Sequence, residues 1–400
     1  MVLKSGTGHA KLAVVLGIRP DLIRASLVLR GLQERRPDDV VFIWSGQHYS
    51  DNLKDVFLRE LAIAPPAIEL GASGTTDAEV VSSVIARLSV VLADLEPRAV
   101  VFLGDTNTVM GCLAAAQLNI PIVHIEGCMR SYDWRMPEEK YRTTIDHLSD
   151  VIYAYFEEYK AQGVAEGLNP ANIVVVQNLI VDVLDHYYFA RLDHFRKMVD
   201  DGLLTSRGLE PDEFLLMTCH RRENVEHPDP LRAIMALAGA SARSVWFPAS
   251  YRTQTNLRRF EVTVPPNVTV VDPIGYDAML ALMTQARGVL TDSGTVVEET
   301  AVLGVPSVQM RRATERPQVY DCRSSVKFDP SRPNMYPHDV VFQKLESLVG
   351  TAWQHGLGDG HASDRIVNDL LTRLETGTFD QHRPEQYAVS VTRAYREDDL

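Results

Sequence analysis

The chain has 400 residues, 45% of them hydrophobic and 23% charged, which is more than one hydrophobic core usually serves and suits two globular domains. A net charge of −13 leaves no basic surplus to release counterions, so neither nucleic acid nor an anionic membrane is expected as a partner. The opening residues hold too short an apolar run for a signal peptide and no stretch reaches the length of a membrane span. The four scattered cysteines show no metal-type pairing, so a cytoplasmic protein with reduced thiols is expected.

In chain order, short β-branched runs recur between amphipathic stretches of helical length. The first half holds LAVVLG (12–17), VVFIWSG (40–46), AVVFLGD (99–105), IPIVHIEG (120–127), VIYAY (151–155) and IVVVQN (173–178). The second half holds FLLMTC (214–219), SVWFPA (244–249), VTVVDP (268–273), GVLTDSG (288–294) and VPSVQM (305–310). Runs apolar on both faces that alternate with helices indicate parallel strands covered on both sides. The pattern is written twice, which predicts an α/β protein of two doubly wound, Rossmann-like domains facing across a cleft. The mixed-charge stretch 185–212 divides them, giving domains at 1–185 and 186–375. In the tail, 376–400, Tyr387, Val389, Val391 and Ala394 fall at helical spacing, so a helix packing back on the first domain is expected.

Doubly wound sheets bind ligands at the carboxyl ends of their strands, so the residues just after each apolar run matter most. GIRPDLIR (17–24) turns at Gly17 and sets Arg19 and Arg24 at a helix N-terminus, where amide dipoles and guanidinium forks suit phosphate; a solvated turn is the plain alternative. GDTNT (104–108) ends its strand on Asp105, although Asp and Thr also serve as helix caps. Glu126 leaves the apolar run IPIVHIE, where a structural role for a carboxylate is hard to find and burial is expected to raise its pKa. PEEKYRTTIDHL (137–148) opens a helix on Glu138 and Glu139, which also suits the macrodipole, and Glu138 and Arg142 have the spacing of a surface pair.

TCHRREN (218–224) places His220, Arg221 and Arg222 straight after the first strand of the second half, a candidate anion site. DSGTVVEE (292–299) reads as strand end, small-residue turn and helix. Its Ser293, Gly294 and Thr295 can present amides and hydroxyls to an anion, and Glu299 can meet a sugar's vicinal hydroxyls. Arg316 follows in TERPQ (314–318). There is no GxxxxGK[ST], no GxSxG and no HExxH; GTGHA (6–10) precedes its strand and GLGDG (356–360) lies in a loop, so neither is a dinucleotide fingerprint. No cofactor and no metal are expected.

Read together, G-x-R-P, S/T-G-Q-H, G-D-T, H-x-E, P-E-E-x-x-R, H-R-R-E-N, D-S-G and E-R-P, in this order, resemble the non-hydrolysing UDP-N-acetylglucosamine 2-epimerases, whose fold is that of GT-B glycosyltransferases. The resemblance implies a UDP-N-acetylhexosamine substrate inverted at C2 through a 2-acetamidoglycal, and a homodimer. It implies Asp105, Glu126, Glu138 and His220 as catalytic residues. Arg19, Arg24, Arg142, Ser293, Gly294, Thr295, Glu299 and Arg316 would hold the UDP-sugar. DSGT in place of D-S-G-G, and DWRMPEEKYRTTIDHLSD, are closer to the branch that forms UDP-N-acetyl-L-fucosamine. Ser50 and Ser250 stand where regulated members carry glutamine and histidine, so allosteric activation by a second UDP-GlcNAc is not expected. The alternatives are a glycosyltransferase with a UDP-sugar donor and a hydrolysing 2-epimerase that releases free N-acetylmannosamine. Three acids from the first domain favour the epimerase over a transferase.

Overall fold

A computed structural model of the chain describes residues 11–46 and 58–379. Gln47, Ser50 and the helical pattern at 387–394 lie outside the described residues. Seven strands form the first sheet: β1 Leu12–Leu16, β2 Val40–Trp44, β3 Ile68–Glu69, β4 Ala99–Leu103, β5 Ile122–Ile125, β6 Val151–Ala154 and β7 Ile173–Val175. Six form the second: β8 Phe214–Thr218, β9 Ser244–Pro248, β10 Val268–Val271, β11 Gly288–Thr291, β12 Ser307–Met310 and β13 Ser325–Phe328. Their orders are β3-β2-β1-β4-β5-β6-β7 and β10-β9-β8-β11-β12-β13, and each neighbouring pair is parallel.

The strands form where the sequence is apolar on both sides. β1, β2 and β4 are buried along their whole length, because helices cover both faces of the sheet. Two strands do not announce themselves in the sequence. β3 is only two residues long, and β13 carries Lys327 outward on an edge, so neither presents an apolar run. In both sheets the order reverses at the first strand, between β1 and β4 and between β8 and β11. At such a switch point neighbouring loops diverge and leave a crevice.

Among the described residues, apolar packing joins the halves at two places. One apolar cluster runs from Leu22, Leu29 and Leu184 of the first half to Tyr276, Leu280 and Val297 of the second. The last described helix, Ala362–Thr376, lies against the helix Arg19–Arg35, with Ile366, Leu370 and Leu374 in that same cluster. Gly31 makes this close approach possible, since a Cβ there would stand 3.2 Å from Val367. Polar contacts fix the register: Tyr153 Oη donates to Asp369 Oδ2 at 2.7 Å, and the Ser363 amide donates to Asp182 Oδ1 at 2.6 Å. Among the described residues no helix is long and apolar enough to cross a membrane.

Gly17 is the one position in the first loop where any side chain would collide. Its Cβ would run into Thr108 Oγ1 and Ser45 Oγ, two hydroxyls that are hydrogen-bonded at 2.9 Å and tie the ends of the central strands together. Gly17→Ala is therefore expected to lower stability by about 1–3 kcal/mol through overpacking, read as a lower denaturant midpoint with an unchanged slope.

Candidate active site

The first sheet delivers its carboxylates at three neighbouring points. Glu126 follows β5 with a left-handed backbone, φ 73°, a conformation uncommon for a residue with a Cβ. Its amide and that of Gly127 both donate to Tyr153 O, at 3.0 and 3.1 Å, so the turn is over-determined by the next strand. The side chain is buried and fully engaged. Oε2 accepts from Tyr155 Oη at 2.8 Å and from Arg24 Nη1, and Oε1 accepts from Arg316 Nη2 at 2.8 Å. Burial would raise this carboxyl, but Arg24 and Arg316 outweigh it and hold the pKa below its ordinary value. The expected upward shift is thus corrected: two guanidiniums in contact win over desolvation.

Asp105 follows β4 and is paired with Arg142, and Arg142 and Arg221 likewise overcome its burial and hold it low. Glu138 behaves oppositely. It stands in the first turn of the helix Pro137–Leu148, 3.9 Å from Arg221 Nη1, and its buried Oε2 has no hydrogen-bond partner. Burial therefore pushes its carboxyl up, with Arg221 only partly opposing. The Glu138–Arg142 surface pair suggested by spacing does not form. Arg142 is buried and turns to Asp105 and Glu139 instead. Glu139 has structural work, accepting the amides of Ser131 and Tyr132 at 3.0 and 2.7 Å.

The second sheet supplies the cations. Asp292, wholly buried after β11, accepts the amides of His220 and Arg221 at 3.0 and 2.9 Å and the side chain of Asn224 at 3.1 Å. It thereby welds the loop after β8 to the loop after β11. His220 Nδ1 lies 3.6 Å from Asp292 Oδ1, and its side chain remains 41% exposed toward the cleft. Glu315 gathers the arginines, with Arg311 at 2.9 Å, Arg316 Nε at 3.6 Å and Arg221 at 3.7 Å, and they hold its carboxyl well below the ordinary range despite its burial. Arg316 spans the cleft, donating to Glu298 at 2.7 Å on its own side and to Glu126 on the other.

The remaining expected residues fall around this cluster. Arg19 opens the helix Arg19–Arg35, partly buried, and Tyr251 of the second half acts on it across the cleft. Ser293 caps the helix Gly294–Leu303, accepting the Val296 amide at 3.3 Å, while Thr295 is partly exposed one residue beyond Gly294. Gly294 leaves room for Arg316, whose Nε a Cβ at 294 would meet at 2.5 Å. Glu299 is buried, with Oε1 accepting from Tyr276 Oη at 2.7 Å. Arg222 crosses the cleft mouth to Asp77 at 2.6 Å rather than facing an anion. Ser250 caps the helix Tyr251–Arg259, accepting the Thr253 amide at 3.2 Å.

Sequence reading passed over Asp21, Tyr155, Glu298 and Glu315. Each adjoins or sits inside a stretch it did single out, but its partner is 18 to 94 residues away or on the next helical turn, so nothing local marks it. Chemically, the cluster offers carboxyls pushed apart in proton affinity, Glu138 upward against Asp105 and Glu126 downward, beside guanidiniums that can take negative charge. That is what proton transfer coupled to departure of an anion requires.

The family profile described as UDP-N-acetylglucosamine 2-epimerase matches residues 30–371. A UDP-N-acetylglucosamine 2-epimerase of Methanocaldococcus jannaschii is 30% identical over 371 residues, covering 90% of this chain and 98% of that protein. A UDP-2,3-diacetamido-2,3-dideoxy-D-glucuronate 2-epimerase of Pseudomonas aeruginosa is also 30% identical, over 90% of this chain and 99% of its own. The crystal structure of the M. jannaschii UDP-GlcNAc 2-epimerase in complex with UDP-GlcNAc and UDP superposes with a TM-score of 0.81 at 30% identity, covering 90% of this chain and 99% of that one. The Neisseria meningitidis UDP-GlcNAc 2-epimerase bound to UDP-GlcNAc gives 0.76 at 25% identity, with 90% and 99% covered.

Glu299 supplies a pH test of this geometry. Burial raises its carboxyl to about 7, from an ordinary 4.5, although Tyr276 partly opposes the shift. The folded protein thus keeps a proton that the unfolded chain loses, so this contribution is complete below pH 4.5 and lost as pH rises through about 7. Glu299→Gln, which is neutral throughout, should flatten the decline in unfolding free energy between those values. An unchanged slope in denaturant titrations would show that Glu299 ionises normally.

Proposed function

The chain belongs to the UDP-N-acetylglucosamine 2-epimerase family, and from that premise we propose that it inverts C2 of a UDP-N-acetylhexosamine by eliminating and re-adding UDP. It is an isomerase. The observation that carries the mechanism is the meeting, in one interdomain cluster, of Asp105, Glu126 and Glu138 with Arg24, Arg142, Arg221 and Arg316.

C2 of such a sugar has no adjacent carbonyl, so its proton is scarcely acidic. Removing it becomes feasible when the anomeric diphosphate leaves in the same process. A carboxylate takes the C2 proton, the electron pair of that bond forms the C1–C2 double bond, and the C1–O bond breaks with its pair on UDP. Return of UDP to C1, with a proton delivered to the other face of C2, completes the inversion. Arg24, Arg142, Arg221 and Arg316 would take the developing charge of the leaving group, since preorganised cations cost no reorganisation when the bond breaks. Glu138, whose proton affinity burial has raised, is the best placed of the three to hold and release a proton. Asp105 and Glu126 are the ionised partners in the empty site. His220, half exposed beside the Ser293–Thr295 turn, would contact the diphosphate, and Arg19 would close on it from the first domain.

The substrate is of the UDP-GlcNAc/UDP-ManNAc or the UDP-N-acetyl-L-fucosamine type, and the enzyme works without added nicotinamide. The homodimer implied by the resemblance belongs to the same reading, and sedimentation at micromolar concentration checks it.

In D2O the product should carry solvent deuterium at C2, seen as loss of that proton's NMR signal during turnover. Glu138→Gln should retain UDP binding and lower kcat by at least about 100-fold, the scale of general acid–base catalysis. Retention of the original C2 proton, or transfer of the sugar to an acceptor with no isomer formed, would overturn the mechanism.

A further inference from the structure

Resting on that reading, we propose that Tyr155 is a positioning residue for Glu126, holding its carboxylate in place while Arg24 and Arg316 pass from Glu126 to the diphosphate of the entering substrate. The cations meant for the leaving group are already occupied. Arg316 spends Nη2 on Glu126 at 2.8 Å and Nη1 on Glu298 at 2.7 Å, and its buried Nε has no hydrogen-bond partner. Arg24 divides itself between Glu126 and Asp21, the latter at 2.8 Å. Glu126 therefore stands where an anion would stand, and a diphosphate that binds these arginines must draw them from it.

Once they turn, the side-chain hydrogen bond that persists among the described residues is the one from Tyr155. Its Oη donates to Glu126 Oε2 at 2.8 Å, its side chain is completely buried, and its ring packs edge-on against Phe156 at 6.3 Å. It follows β6 directly, so it moves with the first sheet and not with the second domain. The groups facing Glu126 are Asp21 and Arg24 from the helix Arg19–Arg35, Asp105 after β4, Tyr155 after β6, and Arg316 and Glu298 from the second domain. Without the two guanidiniums, the burial and acids that remain all favour protonation. Glu126 is held ionised in the empty protein and gains affinity for a proton only with substrate in place, so it enters turnover as the partner that can deliver a proton to C2.

The handover has a signature that a purely structural tyrosine lacks, which is proton uptake on binding. UDP-glucose supplies the diphosphate without the acetamido group, and its diphosphate does not titrate at the working pH of about 6, so calorimetry in two buffers of different ionisation enthalpy reads protein protons alone. Wild type should take up protons on binding, whereas Glu126→Gln should bind and take up none. Tyr155→Phe, which keeps the ring and its packing, should bind UDP-glucose within about threefold of wild type and retain the uptake, yet lose about tenfold in kcat with little change in KM. Equal uptake by wild type and Glu126→Gln, or a Tyr155→Phe effect confined to KM, would overturn the proposal. Failure of wild type to bind UDP-glucose at all would overturn the nucleotide-sugar reading, and this proposal with it.

Discussion

Arg316 is the residue on which the two halves converge. It is 3% exposed, and its guanidinium joins Glu298 of its own domain to Glu126 of the other. Burying such ions costs several kcal/mol each in lost hydration, and apolar residues of similar volume would hold the domains together as well or better. Removing one partner from a buried set is a different matter, since it strands a charge at a cost of about 3–5 kcal/mol. The network is thus expensive to build and expensive to break. On the proposed reading the network serves the chemistry, in which carboxylates and guanidiniums stand ready beside each other.

Geometry rather than composition keeps this cluster from collapsing into plain ion pairs. The left-handed turn at Glu126 and the fully occupied Asp292 fix two loops whose side chains would otherwise choose their own partners. Glu315 collects Arg311, Arg221 and Arg316, so three cations of the second domain are aligned by one buried acid. Glu138 is left at the margin of this arrangement with one oxygen unpartnered, which sets its proton affinity apart from its neighbours. Different roles for identical side chains follow from how many cations each can touch.

The apolar frame explains how the cluster can be shared by two domains. One core cluster continues from the helices of the first sheet to the helices Tyr276–Gln285 and Gly294–Leu303 of the second. The helix Ala362–Thr376 returns to the first domain and seals that side through Tyr153–Asp369 and Asp182–Ser363. Charges meet on the cleft side and hydrocarbon on the other, so apolar packing and ion pairs both register the two halves.

The sequence by itself determined the strands that carry the site. LAVVLG, AVVFLGD, IPIVHIEG, FLLMTC and GVLTDSG are apolar on both faces, which admits only parallel strands under helices, and the residues at their exits are read directly from the string. It also marked the helix opened by Pro137 and the turn capped by Ser293. It could not reveal β3 or β13, whose length or edge position leaves no apolar run. Which exits meet was beyond it as well: Glu126 pairs with Arg316 across 190 residues, while the tempting neighbours Glu138 and Arg142 point to different partners. The direction of the Glu126 shift was misread for the same reason. Burial can be anticipated from an apolar run, but the sign of a pKa shift depends on which charges lie within a few ångströms. Only the packing of one sheet against the other decides that distance.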